Sequence, residues 1–336
     1  MQEPSTDTTS LTGKRRLTPM LQQYVNAKKE CPEDAILLFR MGDFYELFFE
    51  DATVAARILD ITLTAREKGA DAIPMAGFPH HSVSSYVARL VQNGYSVAIC
   101  DQVEDPKKAK GLVKREITQL ITPGTVSDLE ALDPGAANYL ACLQPETDGR
   151  YTIAFLDLLA GELLWTTVPE SSVTDELRRM GAREVLVDDA AEEHFGTPLK
   201  ARALAVRSLP DDALLEDDAL EAMQQRFGQR WFKDIASQLT PRVALTMERL
   251  IRFAESTQRR KLVHLMSPRS YLIADYLVLD EATQSNLELC RTQRENRRQG
   301  SLLWHLNACR TSIGSRTLAH WLLFPLRDAE RINRRL

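Results

Sequence analysis

FRMGDFYELFFED, residues 39–51, sets a turn signal, Gly42-Asp43, in front of a run of aromatics with a carboxylate inside it. If FYELFF is a strand, its side chains alternate, so Phe44, Glu46 and Phe48 share one face while Tyr45, Leu47 and Phe49 share the other. One face suits a core. The other holds an aromatic ring two residues from a charge, which fits either a solvated rim or a surface meant to touch something. On pattern alone both readings stay open.

Working outward, the flanks predict an α/β domain. Upstream, Thr18-Pro19 opens a helix: threonine is a favoured N-cap, proline fits the first helical position, and Met20, Leu21, Tyr24 and Val25 recur at helical spacing. AILLFR (35–40) is a short apolar run between turn residues, which predicts a buried strand. Downstream, EDATVAARILD (50–60) has helical periodicity, ITLTAR (61–66) alternates like a strand, and REKGAD (66–71) is a polar loop. HSVSSYVARLVQNG (81–94) predicts a helix ended by Gly94. Strand YSVAICDQV (95–103), basic loop DPKKAKGLVKR (105–115) and strand EITQLITPG (116–124) follow.

A second pattern begins at DPGAANYL (133–140). YTIAFLDLLAGELLWTTV (151–168) predicts a hairpin turning near Ala160-Gly161, followed by a helix at 171–181 and a strand at 183–189. From about residue 212 the spacing turns helical, and the last 50 residues read as helical and rich in arginine.

At 336 residues the chain is long enough for two or three domains, and 44% hydrophobic with 26% charged residues is ordinary for a soluble globular protein. No apolar run is long enough to span a membrane. Residues 1–17 are polar, lack the apolar stretch of a secretory signal, and read as a disordered lead-in. Cysteines at 31, 100, 142, 290 and 309 form no C-x-x-C, which points away from zinc and disulfides and toward a reducing cytoplasm. The net charge of −5 hides an asymmetry: −1 over residues 1–126, −10 over 127–285 and +6 over 286–336. The acidic middle repels phosphate, whereas the basic end could accept it.

No phosphate-binding G-x-x-x-x-G-K-[ST], G-x-G-x-x-G, H-E-x-x-H or G-x-S-x-G occurs. The adjacent pair His80-His81 points two ways on any regular element, which favours a loop or surface role over metal binding. Asp157, among the many acids of the middle region, leaves a two-metal nuclease as an alternative, although no spacing picks out a set of ligands.

RMGDFYELFFEDA, together with ITLTAR, IPMAGFPHHSVSSYVARLVQNGYSVAICDQVEDP and ITPGT, resembles the mismatch-recognition domain of the bacterial MutS family. NYLACL and AFLDLLAGEL are similar to that family's connector domain. LDEATQSNLEL and GSLLWHLNACRTSIGSRTLAHWLLFPLRDAERIN are similar to the start of its helical core. The likeness runs in the family's order from about residue 17. It implies a multidomain α/β chain: a mixed-sheet α/β wedge domain at 18–132, an RNase H-like α/β connector at 133–274, and the start of an all-α core at 275–336.

The function implied by the resemblance is recognition of mismatched or unpaired bases in double-stranded DNA. The family's G-x-F-x-E element falls on Gly42, Phe44 and Glu46, so Phe44 is expected to wedge in from the minor groove and Glu46 to hydrogen-bond the mispaired base. Inserting a wedge means unstacking a step, at roughly a few kcal/mol, and a mismatch has already lost part of that stacking and pairing. A carboxylate near phosphates weakens binding to intact duplex, and the same field raises its pKa, so the protonated acid could donate to the base. Arg66, Lys68, Lys107, Lys108, Lys110 and Lys114 are candidate backbone-phosphate contacts, Met41 and Met75 candidate wedge-lining residues, and Gly42 the turn residue.

The family's ATPase, with its ATP and Mg, lies downstream of the residues present here. The chain is therefore expected to be an N-terminal portion with no cofactor and no catalysis of its own, and to expose apolar surface at Leu318, Trp321, Leu322 and Leu323. A MutL-type partner on the connector, homodimerisation in longer relatives and a cytoplasmic, nucleoid-associated location are implied in the same way. Besides the nuclease, the remaining alternative is a protein-interaction module that has lost DNA binding.

Overall fold

The computed structural model describes residues 17–65, 72–104, 111, 113–126, 138–209, 214–279 and 281–336. The lead-in up to residue 16, the loop at 66–71 and most of the basic loop, 105–110 and 112, lie outside them. Contacts divide the chain into one unit of residues up to Pro123 with Ser256–Arg260, and a second of Gly124–Glu255 with Lys261–Leu336.

In the first unit, helix α1 (Pro19–Lys29) begins as the sequence predicts: Thr18 Oγ accepts from the Leu21 amide at 3.4 Å, and Pro19 fills the first turn. Strand β1 (Ala35–Met41) is followed by β2 (Phe44–Phe48), helix α2 (Phe49–Leu59), the short β3 (Thr64–Ala65), β4 (Pro74–Pro79), α3 (Val83–Gln92), β5 (Ser96–Gln102) and β6 (Arg115–Ile121). They form one mixed sheet in the order β3-β4-β2-β1-β5-β6, in which only β1 and β5 run parallel. ITLTAR supplies only the two paired residues of β3. Strand β4 escapes the sequence reading because prolines stand at both its ends, the positions where a strand tolerates a missing donor.

One face of this sheet, with Leu37, Phe39, Phe48, Ala98 and Cys100, is covered by Met20, Leu21, Tyr24 and Val25 of α1. On the opposite face Phe78 meets Tyr86 of α3 at 4.3 Å and Tyr45 at 6.2 Å between ring centroids. Asp51, in the first turn of α2, is buried and accepts from Tyr24 Oη (2.9 Å), Lys28 Nζ (2.7 Å) and the Leu37 amide (3.0 Å). One carboxylate thereby ties α1, β1 and α2 together.

The second unit contains β7 (Tyr139–Pro145), β8 (Arg150–Asp157), β9 (Glu162–Pro169), α4 (Val173–Met180), β10 (Ala182–Val187), α5 (Asp189–Lys200), β11 (Ala205–Ser208), α6 (Glu216–Ile235), most of α7 (Pro241–Gln258) and β12 (Arg269–Ser270). The sheet order is β11-β10-β7-β8-β9-β12: an antiparallel meander, β7 to β9, extended by parallel strands on both sides. Residues of α6 and α7 such as Met223, Val243, Met247 and Ile251 pack on Leu140, Cys142 and Ala154. Leu177 of α4 and Phe195 of α5 pack on Ala141, Ile153 and Phe155. This is a three-layer α/β/α sandwich. Gly228, at φ 85°, breaks α6 into two helices.

The arginine-rich end forms four short helices, α8 (Glu281–Asn286), α9 (Leu302–Leu306), α10 (Ser312–Leu323) and α11 (Ala329–Asn333), separated by irregular chain. Of the apolar residues expected on its surface, Trp321 is exposed, with the Arg335 guanidinium 4.7 Å from its ring, while Leu318, Leu322 and Leu323 are half-buried. The fold is thus multidomain and α/β, as expected. No helix among the described residues is long and apolar enough to cross a membrane.

Candidate nucleic-acid interface

The turn between β1 and β2 presents the opening motif. Gly42 adopts φ 58°, a left-handed conformation that glycine reaches without steric cost. Arg40 Nε donates to the Gly42 carbonyl at 2.5 Å, and the His80 amide donates to the Asp43 carbonyl at 2.9 Å. His80 Nδ1 lies 3.1 Å from the same oxygen. The histidine that the sequence assigns to a loop or surface role therefore pins the turn.

Phe44 follows as the first residue of β2 and is 46% exposed, whereas Phe48, on the same face, is completely buried. The difference comes from α1. Its Tyr24 ring stands edge-on to Phe48 with centroids 5.1 Å apart, and Phe44 lies farther along the strand, where its neighbours across the ladders are Met41 and Pro79. Tyr45 anchors the strand from the opposite face, its hydroxyl donating to Asp101 Oδ1 at 2.7 Å. Burial, reinforced by that hydrogen bond and by the charge of Asp101, raises the Tyr45 pKa, so the phenol stays protonated and holds the contact.

Glu46 is half-buried and sits between Phe39 of β1 and Gly77 of β4. The Arg115 guanidinium lies 5.1 Å from the Phe39 ring centroid and donates to the Arg40 carbonyl (2.6 Å), Gln23 Oε1 (2.9 Å) and the Val113 carbonyl (2.9 Å). Burial lowers the Arg115 pKa, and the negative charge of Glu46 is among the influences opposing that shift. Met41 and Met75 are half-buried at the edge of the α1 cluster. The exposed Phe44 and Gly77 and the half-buried Glu46, Met41 and Met75 thus share the α1 face of the sheet at the margin of the buried cluster.

Of the candidate phosphate contacts, Lys114 is exposed and paired with Glu116 at 2.5 Å. Arg66, Lys68, Lys107, Lys108 and Lys110 lie outside the described residues. Arg115 ends the same basic run as Lys114, but its guanidinium is held by internal acceptors beside Phe39, and the strand pairing that brings it there is not visible in that run. Gly77 had no signal in the sequence beyond being a glycine between apolar residues.

In the second unit, Asp157 is committed elsewhere. Its Oδ1 accepts from the Leu159 and Ala160 amides, each at 2.9 Å, and the carboxylate forms a buried ion pair with Arg316 at 3.0 Å. Among the described residues no three His, Cys, Asp or Glu side chains gather as a metal site would need.

Three family models match in order: MutS domain I over residues 18–130, MutS domain II over 138–266 and MutS domain III over 282–336. The DNA mismatch repair protein MutS of Geobacillus thermodenitrificans is 42% identical over 322 residues, covering 95% of this chain and 34% of that protein. Its namesake from Streptococcus sanguinis is 42% identical over 322 residues, covering 95% and 36%. That from Anaeromyxobacter dehalogenans is 43% identical over 320 residues, with the same two shares. The chain spans about a third of the length of these curated relatives. With all three models matched in sequence along it, the chain belongs to the MutS family and carries residues of its domains I, II and III.

Proposed function

We propose that this chain recognises mismatched or unpaired bases in double-stranded DNA, with Phe44 as a wedge entering the minor groove and Glu46 as the hydrogen-bonding partner of the displaced base. One observation carries the reading: in a run whose other rings are buried or half-buried, Phe44 alone is exposed, at the tip of a pinned turn with a carboxylate two residues away on the same face. A wedge needs such a mount. A ring on a loose loop would swing aside when pushed against a base stack, whereas β2 is braced by strands on both sides.

Discrimination follows from deformability. The ring enters where stacking is already weakened, so the cost of the kink is smaller at a mismatch than in paired duplex. Glu46 adds a second filter. Facing phosphates, its charge disfavours approach to intact DNA, and near a base acceptor the same field favours the protonated acid, which can donate. Arg66, Lys68, Lys107, Lys108, Lys110 and Lys114 are the cations this reading assigns to phosphate contacts, which carry no sequence information. In the same reading a MutL-type partner meets the connector, residues 133–274, while ATP, Mg and pairing with a second copy belong to the longer family members.

The test is a competition titration of the chain with a G·T duplex against its matched counterpart, at fixed ionic strength because phosphate contacts are salt-dependent. Wild type should prefer the mismatch. Phe44→Ala should bind both duplexes equally while its stability changes by only about 0.5 kcal/mol, as for other surface substitutions. A preserved mismatch preference in Phe44→Ala would sink the wedge.

A further inference from the structure

Glu46 is closed in on two sides. Along its own strand the same-face neighbour Phe48 is sealed beneath α1, and across the ladder Phe39 is equally buried, with Arg115 over its ring. Two directions lead away from these buried walls. One leads along the strand to the exposed Phe44; the other leads across β4, where the residue opposite Glu46 is Gly77, itself exposed.

Gly77 is not there for its backbone freedom, since it is absent from the residues of positive φ and sits in the middle of a paired strand. Glycine inside a strand weakens it and often marks a place where something must approach closely. A Cβ at Gly77 would stand 3.0 Å from the Tyr45 carbonyl oxygen and 3.5 Å from Glu46 Cγ. It would press on the backbone that carries Glu46 and pack against the stem of its side chain.

We propose that Gly77 is a specificity-determining position: its missing side chain leaves the space through which the Glu46 carboxylate turns over β4 toward a base stacked on Phe44. The proposal rests on the reading of Phe44 and Glu46 given above. With Gly77 in place, the buried walls of Phe39 and Phe48 bound the carboxylate on two sides. An alanine methyl fills that space, in van der Waals contact with the Glu46 stem and tight against the Tyr45 carbonyl.

The test is a double-mutant cycle on the whole chain, titrating Gly77→Ala, Glu46→Ala and the double variant with G·T and matched duplexes. Gly77→Ala should still unfold cooperatively, at a somewhat lower midpoint because its methyl presses on the Tyr45 carbonyl, and should lose about fivefold of the mismatch preference, the worth of one hydrogen bond between uncharged partners. The double variant should be no worse than Glu46→Ala, because both changes remove the same contact. Three outcomes overturn the proposal: an unchanged preference in Gly77→Ala, losses that add in full, or loss of the folding transition, which would assign the glycine to the fold. Phe44→Ala, titrated alongside, separates this from the parent reading, since retention of mismatch preference there removes the wedge whatever Gly77 does.

Discussion

Phe44 and Phe48 have the same chemistry, the same strand and the same face, yet one is 46% exposed and the other fully sealed. Their fates differ because the cover supplied by α1 ends between them. Glu46, placed between the two, inherits a mixed environment: half-buried, with the sealed Phe39 and Phe48 on two sides. This makes its charge, more than its size, the feature to test. Glu46→Gln keeps the shape and a donor while removing the charge that repels phosphate. Homoduplex affinity should stay level or rise, and the ratio of mismatch to matched binding should fall. Equal ratios for wild type and Glu46→Gln in the same titration would show that the charge has no role in discrimination.

At the scale of elements, the mount of the wedge is a turn and a buried carboxylate. A Cβ at Gly42, where φ is 58°, would meet no atom within 4 Å, so its constraint is conformational. Gly42→Ala should therefore cost about 1–2 kcal/mol, the penalty of a left-handed conformation for an L side chain, read as a drop in the urea midpoint. No drop would mean the turn relaxes without strain. Asp51 is a heavier constraint. Asp51→Ala takes an acceptor from the Tyr24 hydroxyl and the Lys28 ammonium, leaving each a backbone carbonyl, and from the Leu37 amide, and should cost about 3 kcal/mol by the same measurement. A cost within error of zero would show that water replaces the carboxylate. Neither role is visible in EDATVAARILD, where helical periodicity gives Asp51 no reason to face inward; the hydroxyl, ammonium and amide it satisfies arrive from other elements.

For the whole molecule, the charge asymmetry read along the chain takes physical form in buried ion pairs of the acidic middle. Glu255 is one. Burial by itself would raise its pKa, but hydrogen bonds from Arg226, Lys261 and the Leu262 amide outweigh burial and bring it down to about 2, from an ordinary value of 4.5. A depressed carboxylate binds fewer protons folded than unfolded, so it stabilises the fold above pH 4.5 and loses that contribution as pH falls toward 2. The full effect is on the order of 3 kcal/mol. Unfolding midpoints of wild type and Glu255→Gln should differ at pH 6 and converge toward pH 2.5; a constant gap would show that the carboxylate keeps its ordinary pKa. The +6 charge of residues 286–336 is likewise spent in part internally, with Arg316 on Asp157 and Arg331 on Asp275.

Periodicity and capping are local, so the sequence alone determined α1 from its threonine cap, β1 from its apolar run, the alternation of FYELFF and the hairpin around Gly161. The family motifs that point to Phe44 and Glu46 are local too. What only the tertiary structure decided are relations between distant segments. These include the proline-bounded β4 that puts Gly77 beside Glu46, the pairing that carries Arg115 to Phe39, the His80 amide that pins the turn, and the cover of α1 that exposes one phenylalanine while burying another. Each depends on which strand lies next to which. That is settled by the packing of the whole sheet against its helices, which no single stretch of the chain encodes.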